Sequence, residues 1–165
     1  MEIFSSFLLE GQLVFGKYPT DEETTLIESC GYSLFVDLCP LEEITWTPYV
    51  LKTSLRHHLP IPDRKPQGNP KDYTETIDII LGALQNNEKV YIHCRGGHGR
   101  SGTLAAIIYG RVTNSSGFEA LEAVKRAHQN RLEMSDKMRK LGAPQTRVQK
   151  TFVLKNLPTP VLTKD

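Results

Sequence analysis

The sequence has no excess of charge, few cysteines and no long apolar run. Its 20 Lys and Arg stand against 19 Asp and Glu, a formal charge of +1. That removes any argument from bulk charge toward nucleic acid or a membrane surface. The 3 cysteines, Cys30, Cys39 and Cys94, include no Cys-x-x-Cys pair and are too few for a disulfide framework. A reducing compartment is therefore expected. No apolar stretch approaches the roughly 18–20 residues of a membrane helix. The opening segment has no basic n-region and meets Glu10 early, so it is not expected to be a secretory signal. By elimination a soluble, cytoplasmic or otherwise intracellular chain is expected. What is present is ordinary globular material: 165 residues, 39% hydrophobic and 24% charged, enough for one domain with a buried core. The near-zero charge hides a division. Residues 1–60 carry Lys17, Lys52 and Arg56 against nine acids, a net of −6, whereas residues 61–165 carry 17 basic residues against ten acids, a net of +7. An anion belongs with the second part.

Short β-rich runs alternate with amphipathic helical ones, the pattern of an α/β layer architecture. Gln12–Gly16 reads as a strand, Thr20 as the N-cap of a helix reaching about Ser29 and ended by Gly31, and Ser33–Leu38 as a buried strand. His57–Ile61 is a weaker strand, limited by its prolines. Asn69-Pro70 opens a helix through Leu84 that Asn86-Asn87 ends, and Lys89–His93 is the strongest strand. Helices are expected from Ser101 to about Val112, from Ser116, with capping-box spacing to Glu119, through Ala127, and from about Thr146 to before Pro158. No repeat or linker divides the chain, which gives one domain over residues 1–157 and a short tail over 158–165.

The informative segment is His93-Cys94-Arg95-Gly96-Gly97-His98-Gly99-Arg100-Ser101-Gly102. A strand runs into a glycine-rich loop and a helix leaves it. Three glycines in four positions let backbone N–H groups converge, and the helix N-terminus adds its partial positive charge. This makes a nest for a tetrahedral oxyanion, with Arg100 able to form paired hydrogen bonds to phosphate oxygens. It is not the Walker loop, which needs Gly-Lys-Ser/Thr. Cys94 stands at the mouth of the nest as a candidate thiolate nucleophile. A nucleophile at the base of a phosphate cradle means covalent phosphoryl transfer. A buried, inert cysteine is the commoner role of a free thiol. It is the reading taken for Cys30 and Cys39, but not for Cys94 amid this cluster.

His93-Cys94-x5-Arg100-Ser101-Gly102 resembles the HCx5R(S/T)G signature of cysteine-dependent protein tyrosine phosphatases. The resemblance implies a single-domain protein tyrosine phosphatase-like fold, a short, mostly parallel central sheet flanked by helices. It implies that Cys94 attacks phosphorus, Arg100 binds the phosphate with the loop positions Arg95, Gly96, Gly97, His98 and Gly99, Ser101 assists departure of the thiolate, and His93 supports the loop. It also implies a general acid on an upstream loop. Leu59-Pro60-Ile61-Pro62-Asp63-Arg64-Lys65-Pro66 resembles that loop, with Asp63 as the acid about thirty residues before Cys94, although its following proline comes one residue earlier than in the family. Asp72 and Asp78 are the fallbacks, and both read as ordinary helix residues. Gln145-Thr146-Arg147-Val148-Gln149 resembles the glutamine loop that orients the hydrolytic water, with Gln145 the stronger candidate and Gln149 the lesser. The likeness spans about residues 10 to 155 and is closest in character to the compact dual-specificity enzymes, including kinase-associated phosphatase and the phosphatases of regenerating liver. In the latter a Glu braces the loop arginine. Glu42 and Glu43 are suitably placed, but a solvated-loop acid is the commoner reading of either.

The resemblance implies no cofactor and no metal, since the loop itself supplies the charge stabilisation. A phosphorylated protein is the first-ranked substrate and partner, on tyrosine and then on serine or threonine. Arg95 and His98 sit at the loop's variable positions, where phosphoinositide phosphatases carry lysines, so a phosphoinositide ranks second and an RNA 5′-triphosphate end third. A phosphate-binding pseudophosphatase is the alternative of another class; such proteins lack the Cys, the Arg or the acid. A monomer is expected. The basic run Lys125, Arg126, Arg131, Lys137, Arg139, Lys140, Arg147 and Lys150 suits an anionic substrate and, more commonly, a solvated helix face.

Overall fold

A computed structural model describes residues 1–159 of the protein; the end of the expected tail, 160–165, lies outside the described residues. Five strands form one sheet: β1 (Ser5–Leu8), β2 (Leu13–Gly16), β3 (Tyr32–Asp37), β4 (Leu55–His58) and β5 (Lys89–His93). Their order is β1-β2-β5-β3-β4; β1 is antiparallel to β2 and every other pair is parallel. The helices are α1 (Asp21–Ser29), α2 (Pro70–Gln85), α3 (Arg100–Thr113), α4 (Gly117–Gln129), α5 (Asp136–Leu141) and α6 (Arg147–Asn156). The expected α/β fold with a mostly parallel sheet is what forms. Among the described residues no helix is long and apolar enough to cross a membrane.

Side chains alternate across the strands and divide the core in two. Leu13, Phe15, Leu34, Val36, Val90 and Ile92 face one way and meet residues of α2, α3, α4 and α6. Val14, Phe35 and Tyr91 face the other way and meet Ile27 of α1 and Tyr49. β5 is buried between β2 and β3, so its C-terminal end opens at the middle of the sheet edge, where open α/β folds bind ligands.

The caps explain the helix starts. Thr20 with Glu23, and Thr146 with Gln149, form complete capping boxes, and Asn69 accepts from the Asp72 N–H. At Ser116 the hydroxyl accepts from the Glu119 N–H, but Glu119 turns its carboxylate to that hydroxyl instead of to the cap backbone.

Several boundaries differ from expectation. α3 begins one residue early, because Gly99 caps it and Arg100 is already helical. β4 ends at His58 before the prolines, yet Leu59 and Ile61 still donate to the carbonyls of Asp37 and Leu38. The extended chain is thereby carried along β3 to the loop bearing Asp63. β1 and α5 have no counterpart in the sequence reading. β1 is four residues with two serines, and α5 is six residues with no buried side chain. α5 is held from outside itself, where Arg139 donates to the carbonyls of Gln129 and Arg131.

Candidate active site

The strand β5 ends at His93 and the helix α3 starts at Arg100, so residues 94–99 form a tight loop over the sheet's C-terminal edge. Gly97 has φ +79°, and a Cβ there would sit 2.2 Å from the Gly16 carbonyl carbon and 2.4 Å from the Lys17 nitrogen. Only glycine allows the loop to lie that close to β2. The Gly97 N–H points inward and donates to Cys94 Sγ over 3.3 Å. Ser101 Oγ lies 3.3 Å from the same sulfur. Cys94 is buried but lines an open cavity of about 340 Å³ together with Asp63, Arg95, Gly96, His98, Gly99, Arg100, Met138 and Gln145. Three loops separated by dozens of residues thus converge on one thiol.

Arg100 is held in place by the protein. Its Nη1 donates to Glu43 Oε1 (2.9 Å) and to the Ile61 carbonyl (2.8 Å), and its Nη2 to Glu43 Oε2 (3.0 Å). Glu43 is therefore the brace, which corrects the expectation of a solvated-loop acid, while Glu42 stays exposed. The short 3-10 turn Leu41–Glu43 aims the carboxylate inward, and the Cys39 thiol donates to Oε2 over 3.4 Å. Burial pushes Cys39 up to about 12, keeping it a neutral donor. Cys30, expected buried, is exposed at the end of α1.

Asp63 is exposed at the rim, with Oδ1 3.4 Å from Arg100 Nη2. Asp72 and Asp78 lie on α2, exposed and outside the cavity. The two glutamines separate clearly. Gln145 lines the cavity. Gln149 is fully buried, accepting from the N–H groups of Gln145 and Thr146 and donating to the Lys65 carbonyl. It pins the Asp63 loop to the glutamine segment, and its amide packs where a Cβ on Gly99 would go.

Behind the loop lies a polar layer. His93 is fully buried; its Nδ1 is 3.1 Å from the Cys94 carbonyl, which only accepts, so Nδ1 carries the proton and Nε2 accepts from the Tyr49 hydroxyl at 2.8 Å. Burial pushes His93 down to about 4, outweighing the attraction of Asp37. Asp37, also fully buried, pairs with Arg56 and accepts from the Cys39 N–H. Arg131 belongs in sequence to the basic run expected on a solvated face, yet it is buried: Nη2 donates to the Gly97 carbonyl (2.8 Å) and Nε to Ser6 Oγ (3.0 Å). Burial lowers it to about 10. In the sequence Arg131 is only one cation of a basic run and Asp37 only part of the segment Val36–Cys39, and nothing singles out Tyr49, His128 or Met138, because their partners lie far away along the chain. Arg95 lies over the Trp46 ring, 5.3 Å from its centroid.

Comparison with known proteins gives the family and the fold. The family PTP-SAK, described as "Swiss Army Knife protein, DSP-PTPase phosphatase domain", matches residues 3–153, and the chain belongs to it. The chain is similar to "Putative tyrosine phosphatase 197R" of Invertebrate iridescent virus 6, 39% identical over 61% of this chain and 40% of that protein. It is also similar to "Putative tyrosine phosphatase 067L" of Invertebrate iridescent virus 3, 32% identical over 92% of this chain and 64% of that protein. The chain thus spans less than two thirds of the length of these curated relatives. Among solved structures it resembles Tk-PTP in its active form, 28% identical with a TM-score of 0.74, over 95% of this chain and 97% of that one.

Proposed function

We propose that this DSP-PTPase family member hydrolyses phosphate monoesters on tyrosine, and also on serine and threonine, of proteins through a cysteinyl-phosphate intermediate. The observation that carries the reading is the single cavity shared by Cys94, Arg100, Asp63 and Gln145. In the first step the Cys94 thiolate forms an S–P bond as the P–O bond to the substrate breaks. Asp63 protonates the departing oxygen. Arg100 and the loop N–H groups hold the equatorial oxygens, where negative charge develops. In the second step Gln145 orients a water, Asp63 takes its proton, and the S–P bond breaks as inorganic phosphate forms. The Ser101 hydroxyl donates to the departing thiolate. The loop supplies the charge stabilisation, so no metal step is invoked.

A phosphoprotein is favoured over a phosphoinositide or an RNA 5′ end because the cavity lining offers two cations, Arg95 and Arg100, with the Asp63 carboxylate 3.4 Å from Arg100. A polyanion requires more positive charge than that. Free thiols at Cys30, Cys39 and Cys94 support a reducing, intracellular setting, and we read the working unit as a monomer. The test is aryl phosphate hydrolysis in EDTA, then phosphotyrosine and phosphoserine peptides, soluble phosphoinositides and triphosphate-ended RNA side by side. Full activity after Cys94→Ser, or strict dependence on a divalent metal, would sink the mechanism; preference for the lipid or RNA would sink the substrate assignment.

A further inference from the structure

His98 contributes an imidazole to the cavity wall, and that ring is held from behind by a second one. His98 Nδ1 lies 2.8 Å from Nε2 of His128 on α4, the two rings edge to face with centroids 5.0 Å apart. Such a bond needs one proton between two nitrogens. The surroundings decide which ring supplies it. His128 is fully buried and its Nδ1 has no hydrogen-bond partner among the described residues. A proton on that Nδ1 would be a buried N–H donor with no acceptor, the rarer and costlier kind of orphan. With its proton on Nε2 instead, His128 donates to His98 and leaves only a bare lone pair.

Both rings are neutral near physiological pH. Burial, reinforced by the charge of Arg131, lowers His98 to about 4 and His128 to about 3. A neutral His98 that accepts at Nδ1 must carry its own proton on Nε2. That edge of the ring leans over the loop: a Cβ on Gly96 would lie 3.0 Å from His98 Cδ2 and 3.5 Å from Nε2. Gly96 is itself on the cavity wall.

We propose that His128 is a positioning residue that fixes His98 as the Nε2–H tautomer, making His98 an uncharged hydrogen-bond donor to the oxygens of a phosphate ester held in the cavity. The inference rests on the phosphatase reading for the identity of that ligand. It also gives a reason for histidine at this position. Arg131, which grips the Gly97 carbonyl directly behind the loop, would repel a lysine there, whereas a neutral imidazole donates without like-charge cost.

The test uses the full chain, labelled with nitrogen-15, and reads both tautomers by long-range proton–nitrogen correlation with and without inorganic phosphate. His98 should be protonated at Nε2 and bare at Nδ1, and phosphate should shift Nε2. His128→Gln keeps an N–H near the place of Nε2 and should preserve the tautomer. His128→Phe should mix the tautomers, weaken phosphate binding by about tenfold, and raise KM for an aryl phosphate more than it lowers kcat. A proton on His98 Nδ1 in the unaltered chain, or a His128→Phe variant with unchanged tautomer and affinity, would overturn the proposal. If His128→Phe does not fold, the unaltered chain and His128→Gln decide it. A chain with the expected tautomer and phosphate binding but no hydrolysis would overturn the phosphatase reading and leave the tautomer assignment standing.

Discussion

Arg100 spends three of its N–H groups on Glu43 and Ile61, out of the five a guanidinium offers. Nε–H and the second Nη2–H remain for a ligand, side by side in the geometry that matches two phosphate oxygens. The Glu43 brace thus sets which edge of the guanidinium faces the cavity. Glu43→Gln keeps the volume but removes the charge and turns one of the two acceptors into a donor facing the guanidinium. We expect kcat/KM to fall by about 10–100-fold and the thermal midpoint to fall with it, because the buried guanidinium loses its counter-charge; aryl phosphate kinetics beside calorimetry measure both. Asp63 is exposed, and among the described residues its side chain forms no ion pair besides that with Arg100, so Asp63→Asn should leave stability alone. It should lower kcat by about 10²–10⁴-fold and remove one limb of the pH profile. An unchanged profile would mean the acid is elsewhere.

The elements position the site through their ends. β5 delivers Cys94, α3 begins at Arg100, the chain beyond β4 delivers Asp63, and α6 starts just after Gln145. Two buried side chains tie these ends together. Arg131, beyond the end of α4, holds the loop to β1 and β2, and Gln149 holds the Asp63 loop to the start of α6. Arg131→Met would leave the Gly97 and Phe15 carbonyls without their donor, and each unsatisfied group costs about 1–3 kcal/mol. A lowered thermal midpoint together with weaker phosphate binding is the expected outcome. Gly97→Ala should be worse, because both the positive φ and the contact with Gly16 forbid the methyl; soluble protein with unaltered phosphate affinity would contradict this account of the loop.

At the scale of the molecule, desolvation holds three histidines neutral: the fully buried His93 and His128, lowered to about 4 and about 3, and the half-buried His98, lowered to about 4. Below their ordinary value near 6.5 the unfolded chain binds protons that the folded chain refuses. Their stabilising effect is therefore complete above that value and is lost as pH falls toward 4. Each histidine contributes at most about 1.4 kcal/mol per pH unit in that window. Denaturant midpoints should fall steeply between pH 6.5 and 4.5, and less so in His128→Gln. The charge division along the chain acquires a structural meaning too. The acidic first third is not only scaffold, since Glu43 crosses to Arg100 and Asp37 anchors the layer behind the loop. What the sequence determined alone was whatever is local: strand period, caps, glycine spacing, and a loop whose chemistry lies within ten consecutive residues. The tertiary structure decided which distant polar groups meet: Glu43 rather than Glu42, Asp63 rather than Asp72 or Asp78, Gln145 open and Gln149 buried, and Arg131 inside. Burial makes those pairings matter, because in a desolvated layer each donor must find an acceptor, and only the folded chain says which one is within reach.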